Sequence, residues 1–207
     1  KRDRKNPEIP SKDEIRALLA ATATTWPPTL PWRPLIVTAL FTGLRSSELR
    51  GLTWDHVDFV AGAIQVRQRA DYLNRMGLPK SEAGGRDVPM APMVLNTLKA
   101  WRLACPKSEE NIVFPTRKGT VYTNSNIHGQ CWQPLQIVAL GARRYTFHAL
   151  RHVAASLFIE QGWTPKKVQT VIGHSTIQMT FDTYGHLWKT TEGDNEAMAQ
   201  IEARLLA

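Results

Sequence analysis

The run from Thr164 to Leu187, T-P-K-K-V-Q-T-V-I-G-H-S-T-I-Q-M-T-F-D-T-Y-G-H-L, constrains this chain more than any other segment. Thr164 followed by Pro165 is a helix start, because the hydroxyl accepts a free N–H and the ring suits the first helical position. The pattern predicts a helix over 165–172 and a second short helix carrying Tyr184, ten residues beyond His174. Just upstream stands His148-Ala-Leu-Arg151-His152. Imidazoles, a guanidinium and a phenol are thus gathered within a short length of helical chain.

The other segments predict a mainly α chain with one small antiparallel β-sheet, an α+β fold. Ser11-Lys-Asp-Glu14 is a capping box, and Ile15, Leu18 and Leu19 supply the first helix with a buried stripe. Pro34 opens a nearly all-apolar helix over 35–41 that Thr42-Gly43 ends. Ser46 is positioned to cap the next short helix. Ala63 to Arg69 alternates as a strand and Asp87-Val-Pro-Met90 as its partner, with a loop rich in Gly, Pro and Lys between them. Helices follow at about 92–104, 125–139 and 148–161, and an amphipathic one over 195–206 closes the chain.

A chain of 207 residues can bury one sizeable core. Its 26 Lys and Arg against 18 acids leave a formal charge of +8, which suits a polyanionic partner such as nucleic acid and equally an ordinary basic protein. Cys105 and Cys131 have neither metal nor disulfide spacing, so a reducing cytosol is the default compartment. No apolar run approaches the roughly 20 residues of a membrane span, and Lys1-Arg-Asp-Arg-Lys5 lacks the apolar core of a signal peptide. The first ten residues read as a flexible basic linker. With no initiator methionine, the expectation is a piece of a longer protein.

On the helix after Thr146, His148 and Arg151 are three apart and share a face, while Leu150, Val153, Ala154, Leu157 and Phe158 form the apolar stripe. Taken alone, H-x-x-R also fits a surface ion pair beside a half-buried histidine. His152 adds an H-x-x-x-H spacing, but Ala149 stands where a zinc helix needs glutamate, which argues against a metal site. Thr42-Gly-Leu-Arg45-Ser-Ser-Glu48 places an arginine on a stiff corner near backbone N–H groups, where an anionic oxygen could be received. Glu48 could orient it, although a plain Arg–Glu surface pair has the same pattern. Lys80 could swing over a substrate from its loop or be a solvated charge. A phenol among imidazoles and guanidinia, in a basic chain, is equipped to attack a phosphodiester without a metal.

In order, T-G-L-R-S-S-E-L, a hairpin lysine before G-R-D-V-P-M, H-A-L-R-H, and V-I-G-H-S-T-I-Q-M-T-F-D-T-Y-G-H-L resemble the catalytic domain of the tyrosine recombinases, the phage-integrase group, from about Ser11 to Leu187. The resemblance implies that family's catalytic fold and a catalytic set of Arg45, Lys80, His148, Arg151, His174 and Tyr184, with Glu48 supporting Arg45. Arg75 or Arg86 could stand in for Lys80. It implies residues 1–10 as a linker from a smaller DNA-clamping domain not included here, 11–189 as the catalytic domain, and 190–207 as a tail helix that docks on a neighbouring subunit of a tetramer on DNA.

The chemistry so implied is attack of Tyr184 on a scissile phosphate, leaving a 3′-phosphotyrosyl enzyme and a free 5′-hydroxyl. Arg45 and Arg151 would grip nonbridging oxygens, His174 would add a hydrogen bond, His148 would take the phenolic proton and Lys80 would protonate the departing oxygen. No cofactor, metal or ATP is called for, and no Walker-type motif is present. Double-stranded DNA is the implied partner, gripped through phosphates by Arg67, Arg69, Arg75, Arg86, Arg117, Lys118, Arg143 and Arg144, with Arg143-Arg144 the favoured cluster. The expected role is integration or excision of a phage or mobile element in a bacterial cytoplasm, at the nucleoid. A topoisomerase-like nicking enzyme or a Xer-like chromosome dimer resolvase would share the chemistry. A noncatalytic DNA-binding protein would not require Tyr184 beside His174, and a metallohydrolase would lose activity to a chelator.

Overall fold

The computed structural model describes residues 8–188 and 194–206. Most of the expected linker, and the stretch 189–193 before the tail helix, lie outside the described residues.

Helix α1 (Lys12–Ala21) begins on the expected capping box, with Ser11 Oγ accepting from Glu14 N at 3.2 Å and Glu14 accepting from Ser11 N at 2.8 Å. Helix α2 (Trp32–Thr42) starts two residues before Pro34 and is buried on every side, with Leu35, Ile36, Val37, Ala39 and Leu40 each at most 2% exposed. A helix apolar all round can only be a core element. Gly43 ends it in the left-handed region at φ +64°. Helix α3 (Ser46–Arg50) follows at once. Its N-cap is Arg45 rather than Ser46: Glu48 reaches back to the Arg45 N–H at 2.8 Å, and the Ser46 hydroxyl donates instead to Asn124.

Short strands come next, β1 (Val57–Asp58), β2 (Ala63–Val66), β3 (Arg69–Ala70), β4 (Met76–Gly77) and β5 (Arg86–Pro89). They form an antiparallel sheet in the order β1-β2-β5 and a separate β3-β4 ribbon. Ile64 faces Val88 across the β2–β5 pair, and both are fully buried. The run 63–69 is therefore two strands, not one. It breaks where the Arg67 guanidinium turns onto the Arg86 carbonyl and Asp87, and where Gln68 donates to the Gly51 carbonyl. Gly51 is needed there, since a Cβ would sit 2.5 Å from the Ala70 backbone nitrogen.

Helix α4 (Pro92–Ala104) packs on α2. The predicted helix over 125–139 is α5 (Asn124–Asn126), a π-helical stretch Ile127–Trp132 and α6 (Gln133–Leu140), which packs on α1. The wider π turn lets Ile127, Cys131 and Trp132 all face the core, each fully buried. Helix α7 (Ala149–Glu160) packs on α2, and α8 (Pro165–Ile172) bridges α7, β5 and α9 (Ile177–Tyr184). The tail helix α10 (Asp194–Leu206) carries the anticipated apolar residues Met198, Ile201, Leu205 and Leu206, all of them exposed. Among the described residues, no helix is long and apolar enough to cross a membrane.

At Gly43 the end of α2 meets the middle of α7 and the end of α8 so closely that a Cβ would lie 2.6 Å from Ile172 Cδ1 and 3.2 Å from Ala154 Cβ. Gly43→Ala combines that overlap with a left-handed φ and should lower stability by about 2 kcal/mol. Urea unfolding measures this, and an unchanged midpoint would mean the corner is looser than described.

Candidate active site

The site grows from two helix ends. Arg45, at the start of α3, is held on both sides of its guanidinium: Nη1 donates to Glu48 Oε1 at 2.7 Å and Nη2 to the Gly173 carbonyl at 2.8 Å. Arg151, on the first turn of α7, is 3% exposed and donates through Nη1 to the Gly43 carbonyl at 2.7 Å. Its Nη2 is buried without a hydrogen-bond partner. Buried donors are almost always satisfied, so a free one on a guanidinium marks a place for an incoming acceptor. Burial, reinforced by the neighbouring Arg45 charge, pulls the Arg151 pKa down to about 9.

His148 caps α7 and turns part of its surface to solvent. His174 sits in the corner between α8 and α9, fixed by Thr180 Oγ1 at 2.9 Å from Nδ1 and by Gln169, which donates to its carbonyl at 3.2 Å. Desolvation first, then the surrounding positive groups, lowers both histidines to a pKa of about 4. For His174 those charges are Arg151, Arg45 and Arg86. Tyr184, the last residue of α9, is 2% exposed, and desolvation pushes its phenol up to about 12 against the opposing pull of Arg151. Its ring lies parallel to that of His174, centroids 6.1 Å apart.

The Tyr184 hydroxyl does not meet His148, the expected proton acceptor. Its hydrogen bond is to His152 Nδ1, at 2.7 Å. His148 stands behind, its ring edge-on to His152 with centroids 4.8 Å apart. The helical spacing that puts His152 on the His148 face was visible in H-x-x-x-H, where it suggested only zinc. Among the described residues no group of three His, Cys, Asp or Glu is arranged to hold a metal ion.

Glu48 is almost fully buried between Arg45 and Arg86. Burial alone would raise its pKa; the hydrogen bonds and charge of Arg86, with the Arg45 charge, outweigh that and hold it below the usual carboxylate value. Arg86 is thereby corrected from a DNA contact, or a stand-in for Lys80, to a structural group. Its guanidinium is 3% exposed and donates to both Glu48 oxygens and to the Gly84 and Val171 carbonyls.

Lys80 is exposed and lines a cleft of about 590 Å³ with Arg45, Arg69, Gly173 and Ser175. A second hollow of about 220 Å³ is lined by His148 and Arg151, with Ser46, Asn124 and His128. The remaining basic residues scatter. Arg69 joins Lys80 in the cleft, its Nε buried and unpartnered. Arg67 is engaged by Asp87 at 2.5 Å, and Arg144 by Glu14 at 3.2 Å, so the favoured Arg143-Arg144 pair has one member tied to α1. Arg75, Arg117, Lys118 and Arg143 are exposed and line neither of the two hollows at the site.

Depressed histidine pKa values have a stability signature. Between pH 6.5 and about 4 the unfolded chain binds protons at His148 and His174 that the folded chain refuses. Stability should therefore be unaffected by these groups above pH 6.5 and fall as the pH is lowered through that window. Urea midpoints across the range test this, and replacing His174 by Gln should flatten the slope.

The Phage integrase family model matches residues 10–190. Prophage integrase IntR of Escherichia coli (strain K12) is 28% identical, aligning with 99% of this chain and 53% of its own length. Tyrosine recombinase XerC of Xylella fastidiosa (strain M23) is 30% identical over 89% of this chain and 58% of itself, so the chain spans about half the length of the curated relatives it matches. Among solved structures, the Tn1549 transposon integrase in complex with transposon right end DNA superposes with a TM-score of 0.76 at 25% identity, covering 100% of this chain and 69% of that one. XerA recombinase shares the fold, with a TM-score of 0.69 at 21% identity, covering 98% and 65%. A match that takes in Arg45, Arg151, His174 and Tyr184 alike, on this fold, makes the chain a member of the phage integrase family, the tyrosine recombinases.

Proposed function

We propose that this chain is the catalytic part of a site-specific DNA recombinase, which cuts and rejoins strands through a 3′-phosphotyrosyl link formed by Tyr184. The observation that carries the reading is the buried, unpartnered Nη2 of Arg151, in a site where Arg45, His148, His174 and Tyr184 converge. A nonbridging phosphate oxygen is the acceptor that donor lacks. Arg45, braced by Glu48 and the Gly173 carbonyl, supplies a second planar fork. If the Thr180 hydroxyl donates to His174 Nδ1, the Nε2–H of that ring is free to bond the phosphate. Two fixed guanidinia supply the charge stabilisation that metal ions give elsewhere, and they need no reorganisation as the phosphorane forms.

One hollow is lined by Arg45 and the other by Arg151, which suits a backbone running through the site, with Lys80 in the larger cleft, where it would protonate the departing 5′ oxygen. Because the phosphotyrosyl bond conserves the energy of the phosphodiester, rejoining calls for no ATP. Double-stranded DNA is the proposed partner, and integration or excision of a mobile element the proposed role. Residues 11–189 would be the catalytic unit, 1–10 the tether to a DNA-clamping domain, and 190–207 a tail that docks on a neighbouring protomer of a tetramer. The apolar face of α10, exposed at Met198, Ile201, Leu205 and Leu206, favours docking in trans over packing on its own domain.

A pool of nicked duplexes of random sequence, incubated with the protein and resolved on a denaturing gel, should yield a covalent DNA–protein product whose DNA defines the site. Tyr184→Phe should abolish the product, and Arg151→Lys should slow its formation by roughly 10²–10³. Persistence of the adduct in Tyr184→Phe would end the reading. Deleting residues after Lys189 should leave single-protomer binding intact while removing multimeric complexes from a native gel; unchanged complexes would rule out docking in trans.

A further inference from the structure

We propose that His152 is a catalytic residue, the group that takes the proton from Tyr184 as its oxygen attacks phosphorus; this rests on the strand-cleavage reading above and deepens it. The geometry is direct. Among the described residues, the hydrogen bond of the phenol is to His152 Nδ1, at 2.7 Å, inside the range a proton acceptor needs. His152 is half-buried and stands one helical turn beyond His148, so α7 presents both rings to the same space while its opposite face is locked in the core. Nδ1 accepts only in the tautomer that carries its hydrogen on Nε2.

The step balances. The Tyr184 Oη–P bond forms as the P–O5′ bond breaks, the phenolic proton passes to His152 Nδ1, and O5′ takes a proton from the Lys80 ammonium. Rejoining reverses each transfer, with the His152 imidazolium returning its proton to the tyrosine oxygen as that oxygen leaves phosphorus.

The surroundings explain why the transfer waits for DNA. His148 and Arg151 on its own helix, and His174 and Tyr184 from the α8–α9 corner, all face His152. Desolvation, and then the Arg151 charge, lowers its pKa, so the ring is neutral and able to accept at working pH. An imidazolium formed beside Arg151 is unfavourable until an anion sits among the guanidinia. A bound phosphate is that anion. The phenol of the free protein therefore stays protonated, and its ionisation is coupled to occupancy of the site.

The test uses the duplex recovered by covalent capture. His152→Asn keeps an amide near the place of Nδ1 that can accept a hydrogen bond but not a proton. Single-turnover adduct formation should drop roughly 10²–10⁴-fold and climb steadily with pH, where the unaltered protein levels off once its imidazole is neutral. A duplex with sulfur at the bridging 5′ position, whose leaving group needs no proton, should restore Lys80→Ala but not His152→Asn. Added imidazole should partly restore His152→Ala, which a purely structural role would not allow. Urea midpoints and retained DNA binding identify any variant that has simply unfolded, and His152→Gln then takes its place. The proposal is overturned if folded His152→Asn reacts within about threefold of the unaltered protein at every pH, or if the sulfur substrate rescues it. Should the unaltered protein form no adduct with any duplex, the strand-cleavage reading itself fails and this role goes with it; an adduct formed equally well without His152 removes only this role.

Discussion

The Glu48 carboxylate is the contact on which the site depends. It is buried, and an isolated buried carboxylate would be too costly to keep ionised. Three hydrogen bonds from guanidinia and one from the Arg45 backbone N–H remove that cost. The same bonds tie together parts of the chain that are far apart in sequence. Arg86 continues from Glu48 to the Gly84 and Val171 carbonyls, and so fastens the hairpin exit and the last turn of α8 to the start of α3. Arg45 continues from Glu48 to Gly173, one residue before His174. The carboxylate thus sets the direction of the Arg45 guanidinium and, through Gly173, the placement of the histidine beside it.

A second constraint repeats at both arginines. Gly43 and Gly173 each end a helix in the left-handed region, and each offers its carbonyl to a guanidinium, Gly43 to Arg151 and Gly173 to Arg45. Helix C-termini leave carbonyls unsatisfied, so these acceptors are available without removing a bond from either helix. The glycines also permit the approach: a Cβ on Gly173 would stand 2.8 Å from Arg86 Cζ, as one on Gly43 would overlap Ile172. Chain reversal and arginine placement are therefore one piece of local structure.

Much of this was legible in the residues. Ser11-x-x-Glu14, Thr164-Pro165 and Thr42-Gly43 signal helix ends through short-range bonds, and they appear where the pattern puts them. The α+β class was legible for the same reason, and so was the meeting of β2 with β5. What escaped was decided by partners distant in sequence. Nothing near Arg86 tells that its guanidinium is buried against Glu48, 38 residues away, and a basic residue in a loop next to a site looks like a DNA contact. The break after Val66 depends on Arg67 and Gln68 finding acceptors on other segments. The π stretch answers to the packing of Trp132, which local propensity does not encode. His152 was visible by its spacing, but whether it or His148 meets the phenol depends on where the α8–α9 corner sets Tyr184 against α7. The Thr180–His174 bond fastens that corner to α9.

The site gathers like charges at close quarters. Arg45 and Arg151 share a small volume with three histidines, and the local field together with burial keeps those rings neutral and draws down the Arg151 pKa. Arranging like charges and an unpaired donor in this way costs stability, which the glycine carbonyls and Glu48 only partly offset. A fold selected for stability alone would replace some of these groups with apolar ones. On the proposed reading, an anion carrying one negative charge and two free oxygens would satisfy Arg151 Nη2, offset the mutual repulsion and make protonation of a nearby imidazole acceptable. The same binding event would lower the cost of ionising a phenol that burial otherwise holds near pKa 12. On the same reading, the burial that holds the Tyr184 phenol protonated is also what would make its ionisation respond to a phosphate among the guanidinia.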